Sequence, residues 1–102
     1  MYNIIMNGLS FEWDEKKNKI NTEKHGISFE EAKTVFWDEN ALLEYDALHS
    51  KDEDRFRILG CSNKGNVLLV VHCVREENVI RIISSRKATA FERAGYERSM
   101  VQ

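Results

Sequence analysis

The sequence has no proline, few glycines and no apolar run long enough to span a membrane. Its 102 residues include five glycines, so glycine and asparagine must form most of the turns. The longest apolar run, residues 67–71, ends at His72, well below the roughly 20 residues that cross a bilayer. Residues 1–10 lack the basic start and long apolar stretch of a secretory signal. We therefore expect a cytoplasmic protein that does not contact a membrane.

Cysteine is also scarce, which excludes a disulfide-rich scaffold. The chain has only Cys61 and Cys73, and without an export signal we expect both to be reduced thiols. The two cysteines and three histidines form no short ligand-pair motif. The sequence therefore predicts neither a metal site nor another cofactor.

The overall composition indicates one soluble globular domain spanning residues 1–102. Hydrophobic residues make up 42% of the chain and charged residues 31%, which excludes disorder as the default state. A chain of this length forms one hydrophobic core and is too short for two ordinary domains.

Charge is distributed unevenly although the net charge is only -2. Residues 1–54 contain 6 Lys and Arg against 13 Asp and Glu, whereas residues 55–102 contain 9 against 4. Arginine dominates the basic half, and its planar fork of donors suits phosphate groups. Two interpretations follow: an arginine-rich surface that binds nucleic acid, or two halves that pair mostly with each other in the fold.

The first third of the chain predicts two helices. Asp14 is an N-cap for a very polar helix over residues 15–24, which Gly26 ends. Ser28 and Glu31 have the spacing of a capping box and open a second short helix that stops near Asp38. The first helix is so polar that we expect it on the surface.

The remainder predicts strands followed by one helix. Four segments have strand patterning, residues 41–45, 55–61, 67–75 and 79–85. The polar loop 46–54 is expected to be solvated and mobile. Thr89 and Glu92 form a second capping box, which opens a helix ending near Met100. The predicted fold class is α+β: an antiparallel sheet of four or more strands packed with two amino-terminal helices and a carboxyl-terminal helix.

The residues of both halves closely resemble the BrnT toxin family. In the amino-terminal half the resemblance rests on Phe11-Glu12-Trp13-Asp14, Lys17, Asn21, Lys24-His25-Gly26, Ser28-Phe29-Glu30-Glu31-Ala32 and Val35-Phe36. In the other half it rests on His49-Ser50, Glu53, Arg55, Gly60, Val70-Val71-His72, Arg81-Ile82-Ile83-Ser84, Arg86, Ala88, Glu92-Arg93 and Tyr96-Glu97. Two features depart from the family pattern: loop 46–54 is more acidic than expected of an RNA-facing surface, and Cys73 replaces an aromatic or polar residue.

The resemblance implies a RelE-like ribonuclease toxin of a type II toxin-antitoxin pair. Such a toxin cleaves RNA and stops growth. Its cognate partner would be a BrnA-like antitoxin of the ribbon-helix-helix type, which neutralises the toxin and represses the shared promoter. Operator DNA would therefore be contacted only through the antitoxin, and a dimer or a heterotetramer with the antitoxin is expected.

RNA cleavage without a metal needs a base, an acid and cations around the phosphate. His25 is the first candidate because it lies at a helix end beside Lys24, and histidine exchanges protons near neutral pH. Capping of the helix carbonyls explains His25 equally well. The last helix brings Tyr96 near Glu92 and Arg93, either as a catalytic group or as a core tyrosine with a satisfied hydroxyl. His72 is interpreted as a satisfied, partly buried histidine.

Arg81 and Arg86 are unusual on a half-buried strand, where a charge needs a partner or a ligand. We expect one to form an ion pair with an acidic side chain and the other to clamp a phosphate. Their parity places them on opposite faces unless the chain bends near residues 84–85. The candidate ion-pair partners are Glu30, Glu31 and Glu92.

Two further sets complete the expected surfaces. The RNA-binding candidates are Arg55, Arg57 and Arg75, and the antitoxin-binding candidates are Phe91, Arg93 and Arg98. Aromatic and arginine side chains are typical of interface hot spots. The alternative function is a catalytically silent protein-binding module of the same fold that acts with its partner in operator binding.

Overall fold

The computed structural model describes residues 2–6 and 8–101, with side chains from residue 8 onward. In chain order the elements are β1 (Tyr2–Met6), β2 (Leu9–Trp13), α1 (Glu15–His25), α2 (Phe29–Lys33), a 3-10 turn (Thr34–Trp37), β3 (Leu42–Tyr45), a second 3-10 turn (Ala47–His49), β4 (Arg55–Cys61), β5 (Val67–Val74), β6 (Val79–Lys87) and α3 (Ala90–Ser99). None of the helices in these ranges is long and apolar enough to cross a membrane.

Six strands of the described chain form one sheet in the order β1-β2-β6-β5-β4-β3. The predicted α+β class is confirmed, and β3 to β6 form an antiparallel meander. The pairing of β2 with β6 is parallel, which differs from the all-antiparallel expectation. Both helices and three strands separate β2 from β6 along the chain, so no hairpin requires these two strands to run in opposite directions.

The core lies between one face of the sheet and the segment that contains α2 and the following 3-10 turn. Its fully buried side chains include Trp13, Phe11, Phe29, Ile27, Leu68, Ile82, Val35 and Val70. Phe11 contacts Phe36 edge to face, and Trp13 contacts Phe29 in the same way. Gly60 completes this packing, because a Cβ there would lie 2.8 Å from Val35 Cγ1. Leu68 and Val70 of β5 point into this cover, and Leu69 on the opposite face is also buried, which explains why the apolar sequence of β5 is nearly continuous.

The helix ends follow the predicted capping with one difference. Asp14 caps α1, and Gly26 adopts the left-handed conformation with φ of 72° at its end. The Ser28 hydroxyl accepts from the Glu31 amide, but the Glu31 carboxylate does not return to Ser28. It accepts instead from Ser62 Oγ at 2.6 Å and from Asn66 Nδ2 at 2.8 Å. Half of the predicted capping box is therefore wrong, because the buried Glu31 serves the β4–β5 turn. The box at the start of α3 is complete.

Asn21 attaches the polar helix α1 to β6 beyond the point where β2 ends. Its Nδ2 donates to Ser85 O at 2.8 Å and to Ile27 O at 2.9 Å, and the Ser85 amide donates to Asn21 Oδ1 at 3.1 Å. One side chain thus replaces the backbone partner that a neighbouring strand would supply. A helix with almost no apolar face is held by buried amide hydrogen bonds rather than by hydrophobic packing.

Candidate nucleic-acid interface and active site

One face of the sheet carries four arginines, and this set is called the arginine face: Arg55, Arg57, Arg81 and Arg86. Directly paired residues of neighbouring strands share a face of a sheet. On β5, Cys73 lies opposite both Arg55 and Arg81. Val71 lies opposite Arg57, and Leu69 lies opposite Arg86. These residues alternate along the strand, so all four arginines project from the side opposite the helix-covered core.

A bulge in β6 makes this arrangement possible. The register changes between Val71, which pairs with Ser84, and His72, which pairs with Ile82, so that Ile83 has no counterpart. One extra residue reverses the alternation of side chains beyond it. The opposite faces expected for Arg81 and Arg86 from their parity therefore become the same face. The bulge lies one or two residues before residues 84–85, where the sequence predicted a bend.

Glutamates from the first half of the chain hold two members of the arginine face and one arginine outside it. Arg57 pairs with Glu44 of β3, and Arg81 pairs with Glu12 of β2 at 3.1 Å. Arg75, just after β5, pairs with Glu53 at 3.4 Å. These three pairs join the acidic first half of the chain to its basic second half. They support the interpretation in which the two halves neutralise each other.

Arg86 forms a two-pronged ion pair with Glu92, the residue that also completes the capping box of α3. The two N–O distances are 2.8 and 3.0 Å, and Glu92 also accepts from the Thr89 amide. The hydrogen bond from Arg86 lowers the pKa of Glu92 to about 2, against the opposing effect of burial. The same bond raises the pKa of the Arg86 guanidinium. Of the expected acidic partners, the structure thus brings Glu92 to Arg86, while Arg81 pairs with a residue that was not considered.

Arg55 differs from its neighbours. Its side chain makes no hydrogen bond or ion pair with any residue in the ranges 8–101, and its Nε is buried without a partner. Its backbone, in contrast, is fixed, because the amide donates to Ser50 Oγ at 2.8 Å. The Nε of Arg57 is also buried and unpartnered. The half-buried guanidinium of Arg55, which has no carboxylate partner, is therefore the group on this face that is best placed to bind an anion.

The loop between β3 and β4 folds into an ordered turn beside the arginine face. Its ends are joined by a bond from the Asp46 amide to Arg55 O at 2.8 Å, and Ser50 Oγ donates to Asp46 O at 2.6 Å. The Asp46 side chain is buried and accepts from His49 Nδ1 at 2.9 Å. The loop is exposed at most positions, as predicted, and hydrogen bonds hold it in a turn. It encloses a polar cleft of about 420 Å³ lined by Leu48, His49, Lys51, Asp52, Glu53 and Arg55.

His25 and Lys24 lie in the last turn of α1 and are exposed. Neither makes a hydrogen bond or an ion pair with Arg81 or Arg86 within the described ranges. The Thr22 carbonyl in the last turn of α1 accepts a hydrogen bond from the Gly26 amide at 2.8 Å. Their helix is bonded through Asn21 to Ser85 of β6, the neighbour of Arg86, and the grouping of His25 with the phosphate clamp stays a prediction.

Tyr96 fastens α3 to the rest of the molecule. Its hydroxyl donates to Asp38 Oδ2, which also accepts from the Cys61 amide at 2.7 Å. Burial and the contact with Asp38 raise the pKa of Tyr96 to about 12. Burial alone would raise the pKa of Asp38, but hydrogen bonds from Cys61, Tyr96 and Asn40 together lower it. This geometry favours the structural alternative for Tyr96.

His72 is entirely buried rather than partly buried. Its ring stacks on Phe56 and meets Phe36 edge to face, and Nδ1 lies 3.3 Å from Val70 O. Burial lowers the pKa of His72 to about 4, so the ring is neutral at physiological pH. Cys61 and Cys73 are free thiols. Within residues 8–101, no three His, Cys, Asp or Glu side chains form a group that could hold a metal ion.

The predicted antitoxin-binding residues lie on the outer surface of α3. Phe91 is 83% exposed, and Arg93 pairs with Glu97 at 3.3 Å. Arg98 is exposed and forms no ion pair with a described residue. Beside them, a groove between α3 and the sheet is lined by Leu42, Glu44, Arg57, Leu59, Leu69, Phe91, Glu92 and Gly95. The groove is continuous with the arginine face at Arg57.

The sequence did not single out Asp46, His49 or Glu53 as functional residues. His49 and Glu53 were visible only as part of the family resemblance, because their loop was interpreted as a solvated connection. The spacing of Asp46 and His49, three residues apart, was the available signal. Its significance depends on the turn that buries the carboxylate.

Comparison with known proteins places the chain in a family. Its fold is similar to that of the Brucella abortus ribonuclease toxin BrnT, known from a crystal structure at 1.1 Å, with a TM-score of 0.60 and 22% identity. The alignment covers 78% of this chain and 95% of the Brucella chain. No curated protein sequence matches the chain. Residues 13–92 match the family described as "Ribonuclease toxin, BrnT, of type II toxin-antitoxin system". The match spans most of the sequence, and the chain therefore belongs to the BrnT family.

Proposed function

We propose that this chain is a metal-independent endoribonuclease toxin that cleaves RNA, inhibits growth and is neutralised by a cognate antitoxin. The observation that carries the proposal is the unpaired Arg55 on an open sheet face, beside a polar cleft. Single-stranded RNA presents phosphates at every step, and an arginine face recognises them without a fixed sequence. Membership of a ribonuclease toxin family supports the same activity.

Arginine supplies the positive charge that such a reaction needs. When the 2′-oxygen attacks phosphorus, negative charge grows on the phosphate oxygens, and a positioned guanidinium stabilises it in the transition state. Arg55 can bind the phosphate without first releasing a carboxylate partner. Arg57, Arg81 and Arg86 must first exchange a glutamate for the phosphate, so we assign them to binding of the flanking backbone.

The test compares two single substitutions that each remove one positive charge. In Arg55→Ala the cation beside the cleft is lost, and we expect cleavage of a synthetic single-stranded RNA to slow by about a hundredfold. Lys19→Ala removes an exposed charge from α1, outside the arginine face, and should leave cleavage unchanged. Both are assayed in excess EDTA, with growth after induced expression as the second readout. Equal activity of both variants would refute the role of Arg55.

The other predicted catalytic residues stay candidates. Tyr96 has a structural explanation in the anchoring of α3, and His25 and Lys24 lie in the last turn of α1, where positive charge interacts favourably with the helix dipole. Arg81 and Arg86 are tested by the double alanine variant, which should reduce toxicity while the protein stays folded. Full toxicity of a folded double variant would remove both from the mechanism.

The antitoxin is proposed to be a BrnA-like ribbon-helix-helix protein that covers the arginine face with an acidic, aromatic segment. Phe91 and the adjoining groove offer an apolar anchor, and Arg93 and Arg98 offer charge. Operator DNA would be bound only through the antitoxin, in a heterotetramer or as a toxin dimer with its partner. Reversing Arg93 and Arg98 to glutamate should weaken the complex and reduce its sensitivity to salt. Unchanged affinity at low salt would place the antitoxin on another surface.

One observation favours a second function, that of a catalytically silent partner in operator binding. Three members of the arginine face are already neutralised by glutamates, as expected if they serve only the fold. Purified protein that binds the antitoxin tightly but leaves RNA intact under all conditions tested would establish this function instead.

A further inference from the structure

The turn between β3 and β4 holds a histidine in the geometry of a general base. His49 Nδ1 lies 3.0 and 2.9 Å from the two carboxylate oxygens of Asp46. A carboxylate can only accept, so Nδ1 carries the hydrogen and Nε2 presents its lone pair. The Asp46 residue is 4% exposed, whereas the His49 side chain is 64% exposed. A buried orienting carboxylate behind an exposed imidazole is the arrangement that fixes the tautomer in hydrolytic triads.

We infer that His49, oriented by Asp46, is the general base of RNA cleavage in this protein. The inference rests on the proposed ribonuclease function and gives it a proton acceptor. His49 lines the same cleft as Arg55, the unpaired member of the arginine face. The base and the cation are thus brought together by a turn of ten residues, whereas His25 is attached to a different element.

The chemical step is a transesterification. The 2′-hydroxyl gives its proton to His49 Nε2 while its oxygen forms a bond to phosphorus, and the bond from phosphorus to the 5′-oxygen breaks. The departing 5′-oxygen takes a proton from solvent, and the imidazolium later returns its own proton to solvent. The products are a 2′,3′-cyclic phosphate and a 5′-hydroxyl end. No oxidant, reductant or metal is needed to balance the step.

The charges around His49 bear on its pH dependence. The acidic groups that face His49 are Asp46 behind the ring and Asp52 and Glu53 in the cleft lining. The basic groups in the same lining are Lys51 and Arg55. Glu53 also forms an ion pair with Arg75, just after β5. An imidazolium cannot accept the 2′-hydroxyl proton, so kcat should fall at acid pH, and this acid limb is the signature of the base.

The experiment measures kcat and KM for cleavage of a synthetic single-stranded RNA between pH 5 and 9. In His49→Gln, kcat should fall by about a hundredfold, KM should change little, and the acid limb should vanish. Asp46→Asn should also lower kcat, because an amide donates to Nδ1 and turns Nε2 into a donor. A substrate with a single 2′-deoxy position should resist cleavage at that position, and the wild-type product should carry the cyclic phosphate.

Two results would overturn the inference. One is a folded His49→Gln protein that keeps the wild-type kcat and acid limb, and the other is loss of kcat with the acid limb in His25→Gln alone. Failure of the proposed function looks different, because the wild-type protein would then cleave no RNA at any pH. Thermal unfolding of His49→Gln checks that the variant is folded at the assay temperature, and some loss of stability is expected because the buried Asp46 carboxylate loses its histidine partner.

Discussion

Removing the Asn21 side chain should detach the polar helix from the sheet. In Asn21→Ala, three hydrogen bonds disappear, and the Ser85 amide and carbonyl and the Ile27 carbonyl lose a partner. A buried hydrogen bond contributes about 1 kcal/mol net, and a buried group left unpaired costs about 1 to 3 kcal/mol. Part of that penalty is relieved by water at the new gap, so we expect a loss of about 3 to 4 kcal/mol.

That loss is a large share of the stability of a domain, which is typically about 5 to 15 kcal/mol. For a chain of this size it corresponds to a drop of roughly 15 °C in the melting temperature. Urea unfolding followed by tryptophan fluorescence measures the free energy directly. Lys19→Ala on the exposed side of the same helix is the control and should change stability by less than about 0.5 kcal/mol.

A second variant separates hydrogen bonding from the loss of volume. Asn21→Asp keeps the shape and the acceptor for the Ser85 amide but removes both donors to the carbonyls. It should be destabilised nearly as much as Asn21→Ala, and more at neutral than at acid pH, because the buried carboxylate is charged at neutral pH. If Asn21→Ala lost less than about 1 kcal/mol, attachment of α1 by these bonds would be refuted.

Three further outcomes concern the packing and the charges of the sheet and of α3. Because the folded pKa of Glu92 is about 2 against 4.5, its contribution is complete above pH 4.5 and is lost as the pH falls toward 2. After solvent screening, this pH-dependent contribution to the free energy of unfolding amounts to about 1 to 2 kcal/mol. In Glu92→Gln, the free energy of unfolding measured as a function of pH should not show this loss. Gly60→Ala should cost about 1 to 3 kcal/mol, since its Cβ meets Val35, and adding Val35→Ala should cost less in this background than alone. Tyr96→Phe should cost about 2 kcal/mol in urea unfolding because Asp38 loses a charged hydrogen bond, and an unchanged midpoint would contradict the anchoring role.

The elements and their ends were largely predictable because their signals are local. Capping residues, a glycine after α1 and alternating apolar positions define most boundaries within one or two residues. The pairing of β2 with β6 was not predictable, because it depends on how distant segments return to the same sheet. The predicted bond from the Ser28 amide to the Glu31 carboxylate was wrong for the same reason, because donors from the distant β4–β5 turn bind Glu31 instead.

The candidate site was predictable in its residue types and less so in its grouping. The arginine-rich half of the chain does supply one surface, and Arg86 does pair with Glu92. The sequence could not show that Arg55, among the four members of the arginine face, has no ion-pair partner in the described part of the chain, since each pairing depends on register across the sheet. It also could not show that Asp46 is buried behind His49, because that requires the closed turn.

The bulge at Ile83 keeps the two arginines of β6 on one face of the sheet. Deleting the extra residue would restore strict alternation, and Arg81 and Arg86 would then be four positions apart and would still share the arginine face. The pairing with β5 would be kept on both sides of the deletion, so Arg86 would still reach Glu92 at the start of α3. A substitution that removed the bulge without removing a residue would instead send Arg81 and Arg86 to opposite faces of the sheet, and one guanidinium would then face the apolar core. The bulge therefore compensates for the odd spacing of these two arginines in the sequence.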